Sequence, residues 1–448
     1  MADTTKFKVI VVGGGPVGLT AAHALSRAGI DFVVLEHRES VVVDVGASLV
    51  LWPSGLRVLA QFGLLERLRE IGADLRRTVT LTLDAHKYKD SQASRVVNQN
   101  HGTYPVIFHR ADVVRLLYES LGDADRARVL AGKQVTDVVV AGDGVEARCA
   151  DGSVHRGSVV LGADGVHSAT RRAMRALAVA AGAPTVNDEQ PYLTEYRTMW
   201  CTFPRPTDLG TGESIEGHGR DVSVQCLASG ERSWLFVYER LAAPTRARAA
   251  YSAADVEALA ARHADLPVSE HLRLRDVFPT RHAAGMANLE EGIVRHWSWG
   301  RVVLAGDACH KFTPNQGLGY NNGVQDVAAL VNELHAVLRA GGGAPPPLDA
   351  LSAAFARYQA SRMASLQVDY DNSASFTRMS AWRNWIHHLL DRYILPWIPR
   401  FDEFMLTYIM TTTTRNCVVL NFVEGEEPFQ GKVPWANAVK PPSIKLNG

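Results

Sequence analysis

The sequence is poor in the features that would mark unusual chemistry or an unusual cellular setting. Its 448 residues include only five cysteines, at 149, 201, 226, 309 and 417. No two of them form a C-x-x-C pair, so neither a zinc site nor a dithiol couple is indicated. An odd number of widely spaced thiols reads as free cysteine in a reducing compartment. Neither sign of charge is in excess, because Lys plus Arg and Asp plus Glu both number 47. Without a net field, nucleic acid is not an expected partner. Long apolar runs are also missing: charges or prolines interrupt every stretch before the ~20 residues needed to cross a bilayer. The first apolar run, Val9 to Val12, enters glycine at once and does not read as a signal peptide. A cytoplasmic location is expected.

Present instead is a pattern of short strands that end in glycine beside an acid. Lys8 to Val12 reads as a β-branched strand, Gly13 to Gly18 as a glycine turn, Leu19 to Ala28 as a helix, and "FVVLE" as a second strand. This strand–helix–strand unit begins a parallel sheet with a right-handed crossover. Gly13-x-Gly15-x-x-Gly18 lies where a dinucleotide needs it. The first glycine turns the chain, the second leaves room for a pyrophosphate, and the third lets helix and strand pack closely. Glu36 closes the second strand, where its carboxylate can accept from both ribose hydroxyls of an adenosine. "LGADGVHSATRR" (161–172) is a second such strand end, with Asp164, and "VVLAGDACHKFTPNQGLGYNNG" (302–323) is a third, with Asp307. NAD would need only the first of the three, so together they point to one long cofactor lying across a sheet.

Strands are also expected at Val79 to Leu83, Val106 to His109, Thr136 to Val140, Val145 to Cys149 and Ser158 to Gly162. From about Tyr192 to Glu239 the pattern changes to longer alternating strands, "TEYRTMWCTF", "DVSVQCLA" and "SWLFVYER", which read as an antiparallel sheet. The fold class is therefore α/β: a Rossmann-like domain, a second, mainly antiparallel sheet domain, and C-terminal helices. The expected boundaries are 1–75, 105–185 and 280–345 for the cofactor domain, 76–104 and 186–279 for the substrate domain, and 346–448 for a helical segment.

The three motifs G-G-G-P-V-G, A-D-G-V-H-S and G-D-A-C-H, in this order over roughly residues 7 to 370, resemble those of the single-component FAD-dependent monooxygenases with the p-hydroxybenzoate hydroxylase fold. The "KFTPNQGLG" ending and the aromatic tail look most like fungal epoxidases and hydroxylases of secondary metabolism. The resemblance implies non-covalent FAD and an NADPH or NADH that docks transiently to reduce it. Dioxygen then forms a flavin C4a-hydroperoxide, which an electron-rich double bond or ring attacks. It further implies that Asp307 accepts from the ribityl hydroxyls, and that Arg110, directly after a strand, reaches ribityl or pyrophosphate oxygens. Gly317 and Gly319 would let the backbone approach the isoalloxazine edge, with a helix from near Asn321 aimed at the ring. In "DVGASLVLWPSG" (44–55), a backbone amide near Val50 would touch the cofactor. Tyr320 stands where relatives often carry a small residue.

In the second domain, Tyr196 and Arg197 face opposite sides of a strand. Arg197 is the first candidate to orient or acidify the oxygen donor, and Tyr196 the second. "MWCTF" and "WLFVY" suggest a largely apolar pocket for a terpenoid, prenylated aromatic or indole. His310 reads as a packing and hydrogen-bonding residue, and no metal site is expected. The tail from Trp382 to Met410 reads as an amphipathic lid over the core, with a surface resting on lipid as the second reading. Two alternatives to oxygen insertion remain: a reductase or dehydrogenase on the same scaffold, and a membrane-associated flavoprotein with a binding role.

Overall fold

The computed structural model describes residues 6–44 and 46–443. Six strands form the first sheet in the order Ser298–Trp299, Val302–Leu304, Val159–Gly162, Lys8–Val12, Asp31–Leu35 and Val129–Leu130. All neighbours are parallel except the outermost Ser298–Trp299 pair. Its central strands are almost entirely buried, as their unbroken Val, Leu and Ile content requires when helices cover both faces. The first crossover helix runs from Pro16 to Arg27. It begins three residues before the expected Leu19, because a proline at the first helical position loses no hydrogen bond there and presets φ.

The second sheet has eight strands in the order His310–Lys311, Ala283–Ile293, Leu193–Pro204, Arg232–Thr245, Val222–Ala228, Glu213–Gly219, Arg77–Thr82 and Lys87–Ser91. It is antiparallel apart from the parallel pair Glu213–Gly219 and Arg77–Thr82. Met199, Cys201, Phe203 and Leu235 pack one face against the helix Ala253–Arg262 and its flanks. The opposite face looks back toward the first domain. The strand Ala283–Ile293 pairs along Leu193–Pro204, so the chain leaves this sheet only after residue 293, not at the expected 280. "AAGMANLEEGI" has too few apolar residues to announce a strand.

The C-terminal part also differs from expectation. One 33-residue helix, Leu348–Ser380, is followed by short helical turns that end at Arg415. Residues 416–443 contain no helix and lie as an extended strap on the first domain. The fully buried Arg57 holds the strap: its guanidinium donates to Glu427 (2.8 Å) and to the Asn437 carbonyl (2.7 Å), and it stacks on Trp435 at 4.0 Å. All five cysteines are buried and unpaired. No helix among the described residues is long and apolar enough to cross a membrane.

The glycine turn shows how tightly the first domain closes. A Cβ at Gly18 would lie 1.8 Å from the Gly13 carbonyl oxygen, a backbone atom with no freedom to yield. Gly18→Ala is therefore expected to lower unfolding free energy by about 1–3 kcal/mol or more in a denaturant titration. A change within a few tenths of a kcal/mol would contradict this packing.

Candidate cofactor and substrate site

The parallel register places Leu35, Val12, Gly162 and Leu304 in one row across the sheet. Beyond that row the chain enters the loops that carry Glu36, Gly13, Asp164 and Asp307. They open into a single cleft of about 1170 Å³. Of the eleven residues expected to hold the cofactor, ten line it: Gly13, Gly15, Glu36, Val50, Arg110, Asp164, Asp307, Gly317, Gly319 and Tyr320. The eleventh, Gly18, lies behind Gly13 in the packing role described above.

Each loop is anchored by hydrogen bonds to its own surroundings. Glu36 Oε2 accepts from the Gly14 amide (2.7 Å) and Oε1 from the Arg38 amide (3.0 Å), leaving lone pairs on both oxygens. Ser168 caps the helix Ala169–Ala180, and Asp164 steadies its start by accepting from the Ser168 hydroxyl (2.5 Å) and the Thr170 amide (2.9 Å). The third loop is pinned at three consecutive residues. The Gly306 amide donates to Asp326 (2.9 Å), the Asp307 carbonyl accepts from Tyr192 (3.1 Å), and the Ala308 carbonyl accepts from Arg171 (2.9 Å). Asp326 is fully buried and also binds His310 (2.5 Å) and Arg362 (2.9 Å). His310 thus holds the turn behind Asp307. The group Cys309, His310 and Asp326 has ligand-type atoms close together, but the Arg362 guanidinium already neutralises the Asp326 carboxylate.

The helix Leu318–Ala340 starts three residues earlier than the expected Asn321. Gly317 caps it at φ +65°, a conformation that favours glycine, and a Cβ there would meet Val50 Cβ at 2.9 Å. Asn321 ties the two together by donating to the carbonyls of Val50 and Gly317, both at 2.8 Å. Tyr320 turns back beneath the cleft, where its hydroxyl meets Thr20 Oγ1 at 2.9 Å, and burial pushes its pKa up.

The cleft suits an extended dinucleotide. A Cβ built on Gly15 or Gly165 would meet nothing within 4 Å and would project into open cleft. Burial pushes the Arg110 pKa down, and Arg38 adds like-charge repulsion, against the opposing pull of Asp307 and Glu36. A pyrophosphate between these groups would offset both costs, and the N-terminus of Pro16–Arg27 faces the same place.

The two catalytic candidates lie elsewhere. Arg197 projects from the face opposite the cleft, and its Nε donates to Glu239 (2.7 Å), which also takes Arg262 and His263 at 3.0 Å. Tyr196 is 1% exposed, in a cluster with Ile107, Trp234 and Leu289. Its hydroxyl has no hydrogen-bond partner among the described residues, and burial pushes its pKa up to about 12. Strand alternation rightly separates the two side chains, but neither lines the cleft. Alternation does not reveal that the Ala253–Arg262 helix covers the Arg197 face.

The segment after Trp382 folds over the cleft as the lid expected from the sequence, and Leu395, Phe401, Met405 and Leu406 point inward; what the sequence did not reveal is how it is fastened. Two aspartates fasten this lid to the second sheet. Asp391 accepts from Tyr88 (2.7 Å), Trp382 Nε1 (2.8 Å) and His218 Nδ1 (2.9 Å). Asp402 takes Lys89 (2.8 Å) and the Ser91 hydroxyl. The sheet wall is also more polar than "MWCTF" and "WLFVY" suggest, because Thr78, Thr80, Ser214, Glu216 and Gln225 face the cleft.

Burial alone would lower the His218 pKa, but Asp391 and Glu216 more than offset it and raise it from 6.5 to about 9. A raised pKa contributes stability that is complete below the unfolded value and lost as pH climbs through the folded one. Proteolytic nicking of the lid is therefore expected to increase as pH rises from 6.5 through about 9, and Asp391→Asn should flatten that dependence. An unaltered pH profile in the variant would show that the pair does not hold the lid.

The comparisons with known proteins agree with this geometry. A family profile described as an FAD binding domain matches residues 6–353. The FAD-dependent monooxygenase srdH of Neurospora crassa is 34% identical over 97% of this chain and 99% of its own length. The FAD-dependent monooxygenase ausM of Penicillium brasilianum is 32% identical over 90% of this chain and 85% of its own. Among solved structures, p-nitrophenol 4-monooxygenase PnpA from Pseudomonas putida shares the fold at TM-score 0.72 and 20% identity, covering 91% of this chain and 97% of its own. Klebsiella pneumoniae HpxO complexed with FAD and uric acid does so at TM-score 0.68 and 22% identity, covering 91% and 96%. With the three FAD motifs converging on one cleft, this chain belongs to the FAD-binding domain family, among its single-component FAD-dependent monooxygenases with the p-hydroxybenzoate hydroxylase fold.

Proposed function

We propose that the protein uses NADPH or NADH to insert one oxygen atom from O2, by epoxidation or hydroxylation, into a mainly hydrophobic natural product such as a prenylated aromatic, terpenoid or indole. The observation that carries this reading is one continuous cleft from Glu36, past Asp307 and Gly319, to the apolar lid residues. At about 1170 Å³ it exceeds the roughly 300–1,000 Å³ typical of a single-ligand pocket, which leaves room for a substrate beside the cofactor.

Bound FAD would supply hydride acceptance and oxygen activation, chemistry that no side chain provides. The remaining work falls to the protein. Glu36 and Asp307 would accept from hydroxyls of the cofactor, and Arg110 would compensate its phosphate charge. The amides at the start of Leu318–Ala340 would present a positive helix end to the bound ring. Phe312, Phe376, Met379 and Leu395 surround the reacting region with apolar surface, and the lid keeps water out. The expected result with a true substrate is oxygen uptake that matches NAD(P)H consumption, and labelled O2 should place one labelled atom in the product. NAD(P)H consumption and a reduced product without oxygen uptake would instead identify a reductase on the same scaffold.

A specific observation favours a second role for the lid. Its outer face carries Trp385, Trp397 and Tyr408, exposed at 71%, 78% and 70%, with the exposed Arg400 beside them. Aromatic residues mixed with arginine suit a lipid interface, and an apolar substrate could pass from there beneath the lid. Sedimentation with anionic vesicles is expected for the unaltered protein and should be lost in the Trp385→Ser/Trp397→Ser double variant, which keeps its FAD. Failure of the unaltered protein to sediment, or equal sedimentation of both, rejects this role.

A further inference from the structure

Apart from the hold of His218 on the lid, the polar stripe on the sheet wall serves none of the roles above, and its chemistry is specific. Ser214, Glu216 and His218 alternate along Glu213–Gly219 and face the cleft side, while Ile215 points into the core behind. His218 Nε2 approaches Glu216 Oε2 at 3.5 Å. No other group among the described residues makes a hydrogen bond or ion pair with that carboxylate, although it lines the cleft. Two residues earlier on the same face, Ser214 is 2% exposed and its hydroxyl has no hydrogen-bond partner among the described residues. A buried hydroxyl and a carboxylate left open in one cavity cost free energy unless a ligand completes them.

The surroundings fix the sign of the ligand and place the stripe beside the loop that leads into Gly317. Glu216 and Asp391 are two carboxylates facing the single imidazole of His218, so the local balance disfavours a substrate anion. Gln225 is the cross-strand partner of Glu216. Its Nε2 donates to the Asn315 carbonyl at 3.0 Å, and its Oε1 accepts from Tyr238 at 3.2 Å. Asn315 belongs to the loop that leads into Gly317. Glu216 therefore stands one strand spacing, about 4.8 Å, beyond the residue that touches the Asn315–Gly317 loop.

We infer that Glu216 and Ser214 form a substrate subsite for a hydrogen-bond donor, a hydroxyl or N–H group. The site would hold one polar end of an otherwise apolar molecule while its reactive carbons lie toward Gly317. This deepens the oxygen-insertion reading and rests on it. The substrate is then amphipathic, and the donor sets which carbon meets the ring. A substrate whose donor is capped would leave the Glu216 carboxylate desolvated and unpaired, so discrimination should be large.

The test uses the FAD-loaded protein and two matched probe pairs: indole with 1-methylindole, and a prenylated phenol with its O-methyl ether. Binding is read from perturbation of the flavin absorption spectrum. The unaltered protein is expected to bind each donor-bearing member roughly 10- to 100-fold more tightly than its capped partner. Glu216→Gln should reduce that ratio several-fold while the flavin stays bound, and Ser214→Ala, a smaller change, should reduce it in the same direction. Equal affinity for the two members, including no measurable binding of either, overturns the subsite, as does a ratio unchanged in both variants. Failure of the unaltered protein to hold FAD would instead defeat the underlying reading.

Discussion

The structure depends on one row of backbone. Leu35, Val12, Gly162 and Leu304 end side by side because their strands run parallel and in register, and everything the cleft does follows from what the chain carries after that row. Parallel strands place all their carboxyl ends on one side, so loops from residues 13, 36, 164 and 306 meet although they are far apart in sequence. Their acids would repel one another without compensation. Arg110 and the free amides at two helix starts supply it.

The row holds its shape because the third loop cannot drift. Asp326 is a buried carboxylate in an apolar helix, and it is shared among a backbone amide, an imidazole and a guanidinium. Removing any one partner would leave charge uncompensated in the interior. The same device recurs at the rim of the cleft, where Asp391 gathers a phenol, an indole and an imidazole from the sheet and the lid. One network fixes the cofactor loop, and the other fixes the cover.

Much of this was legible in the sequence, and the reason is physical. A glycine turn that must approach a phosphate, or a carboxylate at a strand end, leaves a local signature, so most of the residues that line the cleft could be read directly. Contacts made across distant elements leave no such mark. Arg197 looked available because its strand alternates, and only the fold shows the Ala253–Arg262 helix and Glu239 waiting on that side. Glu216, His218 and Asp391 come from two segments about 170 residues apart, and their meeting depends on the path of the lid. Asp326 did carry a clue, an isolated acid in "GVQDVAALV", since a charge in so apolar a helix must find partners. The strand Ala283–Ile293 and the strap from 416 onward carried almost none, because small and polar residues there are held by edge pairing and by Arg57.

The central claim is that separated strand ends grip a single extended FAD. It is tested most directly by titrating the FAD-free protein with FAD and following flavin fluorescence for the unaltered chain, Glu36→Ala and Asp307→Ala. The account predicts one FAD per chain and weaker binding in both variants, since the two residues line separate parts of the one cleft. Binding that is absent from the unaltered chain, or indifferent to both substitutions, would contradict it.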